Sequence, residues 1–158
     1  MLSPTARKRE ARVFGRIRQW HRRLGGFRLR DLWWGLQILG LVTLATLVKS
    51  RVSIPRLVRL FDARPRPTLG GDWQRLNLIT RGLLRRTLRR DFCLPHALVL
   101  FHFGRRWGYP TRIFIGARKN EHGLDGHAWV RIDGTAVPGL TPPENAFTTF
   151  YAYPETPS

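Results

Sequence analysis

Two stretches decide how this chain reads: Cys93-Leu-Pro-His-Ala-Leu-Val-Leu-Phe-His-Phe103 and Gly126-His-Ala-Trp-Val-Arg-Ile-Asp-Gly134. The first is an apolar run that continues to Arg106 and stops before Gly108 and Pro110, so it is predicted to be helical. Pro95 suits its first turn, where a missing N–H breaks no intrahelical bond. The second stretch has strand character and closes on Asp133-Gly134, a two-residue hairpin signal. Cys93 is the only cysteine in the chain and cannot form an internal disulfide. A thiol at a helix start and a histidine on a strand 34 positions later are what a cysteine nucleophile and its base require. The packing alternative is a buried structural Cys, which behaves as a small hydrophobe.

Outward from these stretches, Thr111-Arg-Ile-Phe-Ile-Gly-Ala-Arg118 is predicted as a strand, Lys119–Gly126 as a loop, and Thr135-Ala-Val-Pro138 as the start of a third strand. The tail, with Pro142, Pro143, Pro154 and Pro157, is predicted to be irregular. Upstream, Asp72 is a helix N-cap candidate, followed by Trp73, Leu76, Ile79, Leu83, Leu84 and Leu88 at three- and four-residue spacing. Arg75, Arg81, Arg85, Arg86 and Arg89 fall elsewhere on that wheel. Arg64-Pro-Arg-Pro-Thr-Leu-Gly-Gly71 has linker composition, and Arg56–Phe61 reads as a short amphipathic turn.

Leu32 to Val48 is an uncharged run of 17 residues, at the lower limit of the roughly 17–25 needed to cross a bilayer. A span with the Cys–His half in the cytosol would send the first 31 residues, with ten Lys+Arg, across the membrane, against the positive-inside tendency. A core or interfacial helix is the other reading. Residues 91–158 number only 68, a marginal size for a self-sufficient core, and a greasy helix would enlarge it.

The formal charge of +18 is lopsided. Residues 1–90 hold 22 Lys+Arg against Glu10, Asp31, Asp62 and Asp72, whereas residues 91–158 hold six of each sign. The basic half suits an anionic membrane surface, nucleic acid or an acidic peptide, or is simply a solvated face. The expected organisation is a frayed basic arm over 1–31, helical between Thr5 and Leu24, then an apolar helix and linker over 32–71, then a catalytic core over 72–158. The expected fold class is α+β, with N-terminal helices and the Cys93 helix packed on a small antiparallel sheet. No Gly-rich phosphate loop is present, and Cys93, His96 and His127 do not match structural zinc spacing. His96 and His102 are expected on the helix surface or in the core, and His122 in an exposed loop.

The run from Cys93 to Gly134 resembles the transglutaminase-like cysteine peptidases that process lasso-peptide precursors. The matching residues are Cys93-Leu, the helix ending Phe103-Gly-Arg-Arg-Trp-Gly-Tyr-Pro110, Ile115-Gly-Ala-Arg118, and His127-Ala-Trp-Val with Asp133-Gly134. The resemblance implies a papain-like core in which Cys93 is nucleophile and His127 base, with no cofactor and no metal. It implies removal of a leader from a ribosomally made precursor peptide in the cytoplasm. A leader-recognition protein and an asparagine-synthetase-like ring-closing enzyme are the partners it implies. The family's acid would fall about twelve residues after the His, where this chain has Gly139. Asp133 is the nearer candidate for the third member, although an Asp-Gly turn also explains it; Asp125 and Glu144 are further substitutes. The alternative function is a non-enzymatic basic adaptor for nucleic acid or an anionic membrane surface, with membrane association through residues 32–48.

Overall fold

The computed structural model describes residues 29–66, 71–87, 92–121, 123–142 and 146–154. The helix expected between Thr5 and Leu24 lies outside them, as do His122 and Glu144. Four helices precede four strands among the described residues: α1 (Leu29–Val48), α2 (Ile54–Leu60), α3 (Trp73–Thr87), α4 (Cys93–Arg106), β1 (Thr111–Asn120), β2 (Gly123–Ile132), β3 (Thr135–Ala136) and β4 (Thr148–Tyr153). The strands form one antiparallel sheet in the order β3-β2-β1-β4. The architecture is α+β, as a run of helical patterns followed by a run of strand patterns predicts.

Helix α4 is the centre of the described core. Ala97, Leu98, Val99, Leu100 and Phe101 are all fully buried, so its middle turns have no solvent face. It packs on β2 and β1, with α3 against it as well. Ile113, Val130 and Ile132 meet it from the sheet, where period-2 alternation turns them to one side. Helix α3 starts where Asp72 accepts a bond from the Arg75 N–H (3.0 Å), the predicted N-cap. Its Leu76 and Leu84 are buried, Arg75 and Arg81 are half-buried, and Arg85 and Arg86 are exposed. Asp62, just after α2, accepts from Arg105 Nε (2.9 Å) and from the Tyr153 hydroxyl (2.8 Å), tying α4 and β4 together.

Two expectations about the sheet need correction. The β1–β2 hairpin runs on through the segment expected as a loop, with Arg118 opposite Asp125 and Lys119 opposite Leu124. An Arg118–Asp125 ion pair of 2.8 Å across the ladder, with Gly123 at φ +128° where a side chain would be strained, accounts for the extension. The tail is not irregular throughout. Thr148-Thr-Phe-Tyr-Ala-Tyr153 adds β4 to the edge of β1, because its β-branched and aromatic content outweighs the flanking prolines. The Asp133-Gly134 turn is as expected: both residues have positive φ (51° and 70°), the conformation of a type I′ hairpin.

Helix α1 is apolar all round but only half built in. Trp34, Ile38, Val42 and Ala45 are buried, with the Trp34 ring against Trp107 (centroids 5.3 Å apart) and Gln37 Oε1 accepting from Arg106 (2.9 Å). The opposite face leaves Leu36, Leu39, Leu44 and Leu47 exposed by 57, 47, 40 and 62%.

Candidate active site

Cys93 is the first residue of α4, and Phe92 before it is the N-cap. The first N–H groups of a helix have no intrahelical acceptor, so the thiol sits at an electropositive end. Strand β2 passes this end and presents His127 to the sulfur. The Cys93 thiol hydrogen-bonds His127 and receives the backbone N–H groups of Ala128 and Leu94. The two residues singled out from sequence are thus brought into direct contact.

His127 is held on every side. Its Nε2–H donates to the Leu140 carbonyl at 2.8 Å, which leaves Nδ1 as the ring atom for Cys93. The rings of Trp129 and Phe147 stack on it, with centroids 6.0 and 5.1 Å away. Gly116 is its cross-strand partner. A Cβ there would lie 2.8 Å from the Thr148 carbonyl and 3.0 Å from Trp129, so the glycine lets β4 and the aromatic rings close around the imidazole.

The electrostatics favour charge separation. Burial pushes the Cys93 thiol up, but the His127 hydrogen bond, the Ala128 N–H, the imidazole's charge and the Leu94 N–H together bring it below the ordinary thiol value. His127 is raised chiefly by its hydrogen bond to Cys93; burial opposes this, while the Leu140 carbonyl and the charges of Cys93 and Asp125 add to it. Both shifts favour moving the thiol proton from Cys93 to His127, the direction that yields the reactive thiolate.

Asp133, the nearer candidate for a triad acid, is not beside the imidazole. It is an exposed turn residue whose N–H donates to the Pro110 carbonyl (2.6 Å). A strand rise of about 3.3 Å per residue carries it away from His127. The position of an orienting acceptor is filled by main chain: the Leu140 carbonyl occupies His127 Nε2. Gly139, where the family's acid would fall, has φ +76° and lies against the Arg81 guanidinium. Asp125 is engaged by Arg118 and acts on His127 only through its charge. Among the described residues no group of three His, Cys, Asp or Glu side chains could hold a metal ion.

The other histidines are not part of this contact. His96 is fully buried on α4, with Nε2 2.8 Å from Asn77 Oδ1. His102 is half-buried and donates from Nδ1 to the Phe61 carbonyl (3.2 Å). Reasoning from residue types missed the Leu140 carbonyl and the Ala128 N–H, because backbone groups carry no residue signature. It also passed over Asn77, although a signal existed: Asn77 falls four residues after Trp73 and seven before Leu84, on the face of α3 that faces the core.

A family model for the transglutaminase-like superfamily matches residues 36–152, and the chain belongs to that superfamily. No curated protein and no solved structure matches it significantly.

Proposed function

We propose that this transglutaminase-like chain is a cysteine peptidase that removes the leader from a ribosomally made lasso-peptide precursor. The observation that carries the chemistry is the contact between the Cys93 thiol at a helix start and His127 on β2, with both ionisations shifted toward the ion pair. The thiolate attacks the scissile amide carbonyl, and the helix N-terminus is the positive wall against which the oxyanion develops. The Nδ1 proton of His127 passes to the leaving amine as the C–N bond breaks, which leaves a thioester on Cys93. His127 then takes a proton from water as the water attacks, and the second product departs with the thiol restored. None of these steps uses a cofactor.

The choice of hydrolysis and of this substrate rests on the likeness of Cys93-Leu, His127-Ala-Trp-Val and Asp133-Gly134 to the leader peptidases. A leader-recognition protein and an asparagine-synthetase-like ring-closing enzyme are the partners that go with that reading. The test is incubation of the full chain with a lasso-type precursor peptide, with and without a leader-recognition protein, followed by mass spectrometry. Release of intact leader by the wild type and not by Cys93→Ala supports the proposal. Equal release by both rejects it.

Charge and exposure favour a second property of the same enzyme, contact with an anionic membrane surface. The helix Asp31–Val48 is long and apolar enough to cross a bilayer, but Trp34, Ile38, Val42 and Ala45 are built into the core, which suits an interfacial position better. Arg106, bonded to Gln37 of α1, also lines a cavity of about 300 Å³ with Arg64, Arg66 and His102, so arginines gather at the end of α4 that meets α1. Flotation with phosphatidylglycerol vesicles, lost with phosphatidylcholine alone and lost in Leu36→Glu/Leu39→Glu, is the expected result. Indifference to both changes would reject membrane contact and leave the peptidase assignment standing.

A further inference from the structure

An amide and an imidazole buried in an apolar core are costly unless hydrogen-bonded. Asn77 on α3 and His96 on α4, three residues after Cys93, are such a pair, with His96 fully buried. Asn77 Oδ1 can only accept, so His96 Nε2 carries the proton in their 2.8 Å bond. His96 Nδ1 is then a buried lone pair with no partner. Burial, assisted by the positive charge of Arg81, holds the ring down to about 4, so it is neutral at neutral pH. A neutral ring with a fixed proton on Nε2 also fixes the amide: Oδ1 faces His96, and Nδ2 must face away from it.

Nδ2 faces the catalytic loop. It donates to the Pro138 carbonyl at 3.2 Å, across a sequence separation of 61 residues. Pro138 lies two residues before Leu140, inside a turn closed by bonds from the Leu140 and Thr141 N–H groups to the Val137 carbonyl (3.2 and 3.0 Å). Thr141 Oγ1 accepts from the Val137 N–H (2.9 Å). One turn further along α3, Arg81 packs against Gly139. The loop that offers its carbonyl to His127 is therefore set by α3 at two points. Only one of them, Asn77, is backed by a second buried polar group on the cysteine helix.

We propose that Asn77 and His96 are positioning residues: through Pro138 they set the loop that places the Leu140 carbonyl on His127 Nε2, and so replace the orienting carboxylate that this chain lacks at position 139. The inference rests on the peptidase reading of Cys93 and His127, and it supplies that site with its third component. A purely structural role would not explain the choice of residues, because replacing both members of a buried polar pair by apolar groups of similar shape is often close to neutral for stability. Pro138 is exposed, so water can satisfy its carbonyl once Asn77 is gone.

That contrast gives the experiment. The chain has one cysteine, so thiolate absorbance near 240 nm against pH reports Cys93 alone, without substrate. In the full chain, Asn77→Leu/His96→Leu should melt cooperatively, yet form thiolate only at higher pH than wild type. Its kcat on the precursor should fall about a hundredfold with KM little changed, the scale of a small displacement of a catalytic group. His96→Gln, which keeps a donor near the Nε2 position, should restore the titration that His96→Leu loses. A cooperatively melting double variant with wild-type titration and kcat overturns the proposal. Should that variant not fold, Asn77→Asp decides, since it turns an acceptor toward the Pro138 carbonyl: wild-type titration there overturns the proposal equally. An ordinary thiol titration in the wild type itself would instead refute the peptidase reading beneath it.

Discussion

Gly139→Asp installs a carboxylate where the family's acid would fall, and from sequence alone it should repair the triad and raise activity. The structure predicts the opposite. Gly139 has φ +76°, which costs a side-chain-bearing residue about 1–2 kcal/mol. A Cβ there would lie 2.5 Å from Arg81 Nη1 and 3.0 Å from its Cζ, so the guanidinium must move. The new carboxylate would then pair with Arg81, which already occupies the space beside it, while Nε2 of His127 is already taken by the Leu140 carbonyl at 2.8 Å. At about 2–4 °C per kcal/mol for a chain of this size, the strain should lower the melting temperature by about 2–8 °C. Displacement of the neighbouring carbonyl should lower kcat by about tenfold to a hundredfold. Differential scanning fluorimetry and leader-release kinetics measure the two effects, and Gly139→Ala separates strain from charge. If Gly139→Asp is faster than both wild type and Gly139→Ala, the acid is repairing a defect, and the carbonyl does not orient His127 as argued.

Three further outcomes follow from the same geometry. Iodoacetamide should alkylate Cys93 at a pH below the ordinary thiol range; His127→Ala should move the profile back up, and an unmoved profile would show that His127 does not support the thiolate. Asp133→Asn should leave leader release nearly unchanged, because Asp133 is an exposed turn residue; a hundredfold loss would restore it as the orienting acid. Finally, His96 has its folded-state value depressed from 6.5 to about 4, so the unfolded chain takes up the proton first as pH falls. Its contribution of about 3 kcal/mol is fully present above pH 6.5, declines between there and pH 4, and is gone below. Urea midpoints for His96→Gln should therefore fall less between pH 7 and pH 4 than those of wild type, and parallel curves would contradict the assignment.

The amino-acid order by itself determined the parts that repeat or punctuate. Apolar spacing marked α3 and α4, β-branched runs marked β1 and β2, and Asp133-Gly134 marked the turn from β2 to β3, because each is written within a few neighbouring residues. It also marked Cys93 and His127, since few residue types can act as nucleophile and base. It could not extend the hairpin through Arg118 and Asp125 or recruit Thr148–Tyr153 as an edge strand. Those depend on partners across the sheet that propensity does not see. Nor could it decide between a core and an outward setting for residues 32–48, whose helix is apolar on all sides and is divided into two faces only by what packs against it. The third component of the site was hidden most completely. A carboxylate is a letter in the sequence, but the Leu140 carbonyl is a backbone group that every residue carries. Only the tertiary contacts of α3 with the Val137–Thr141 loop aim that carbonyl at His127.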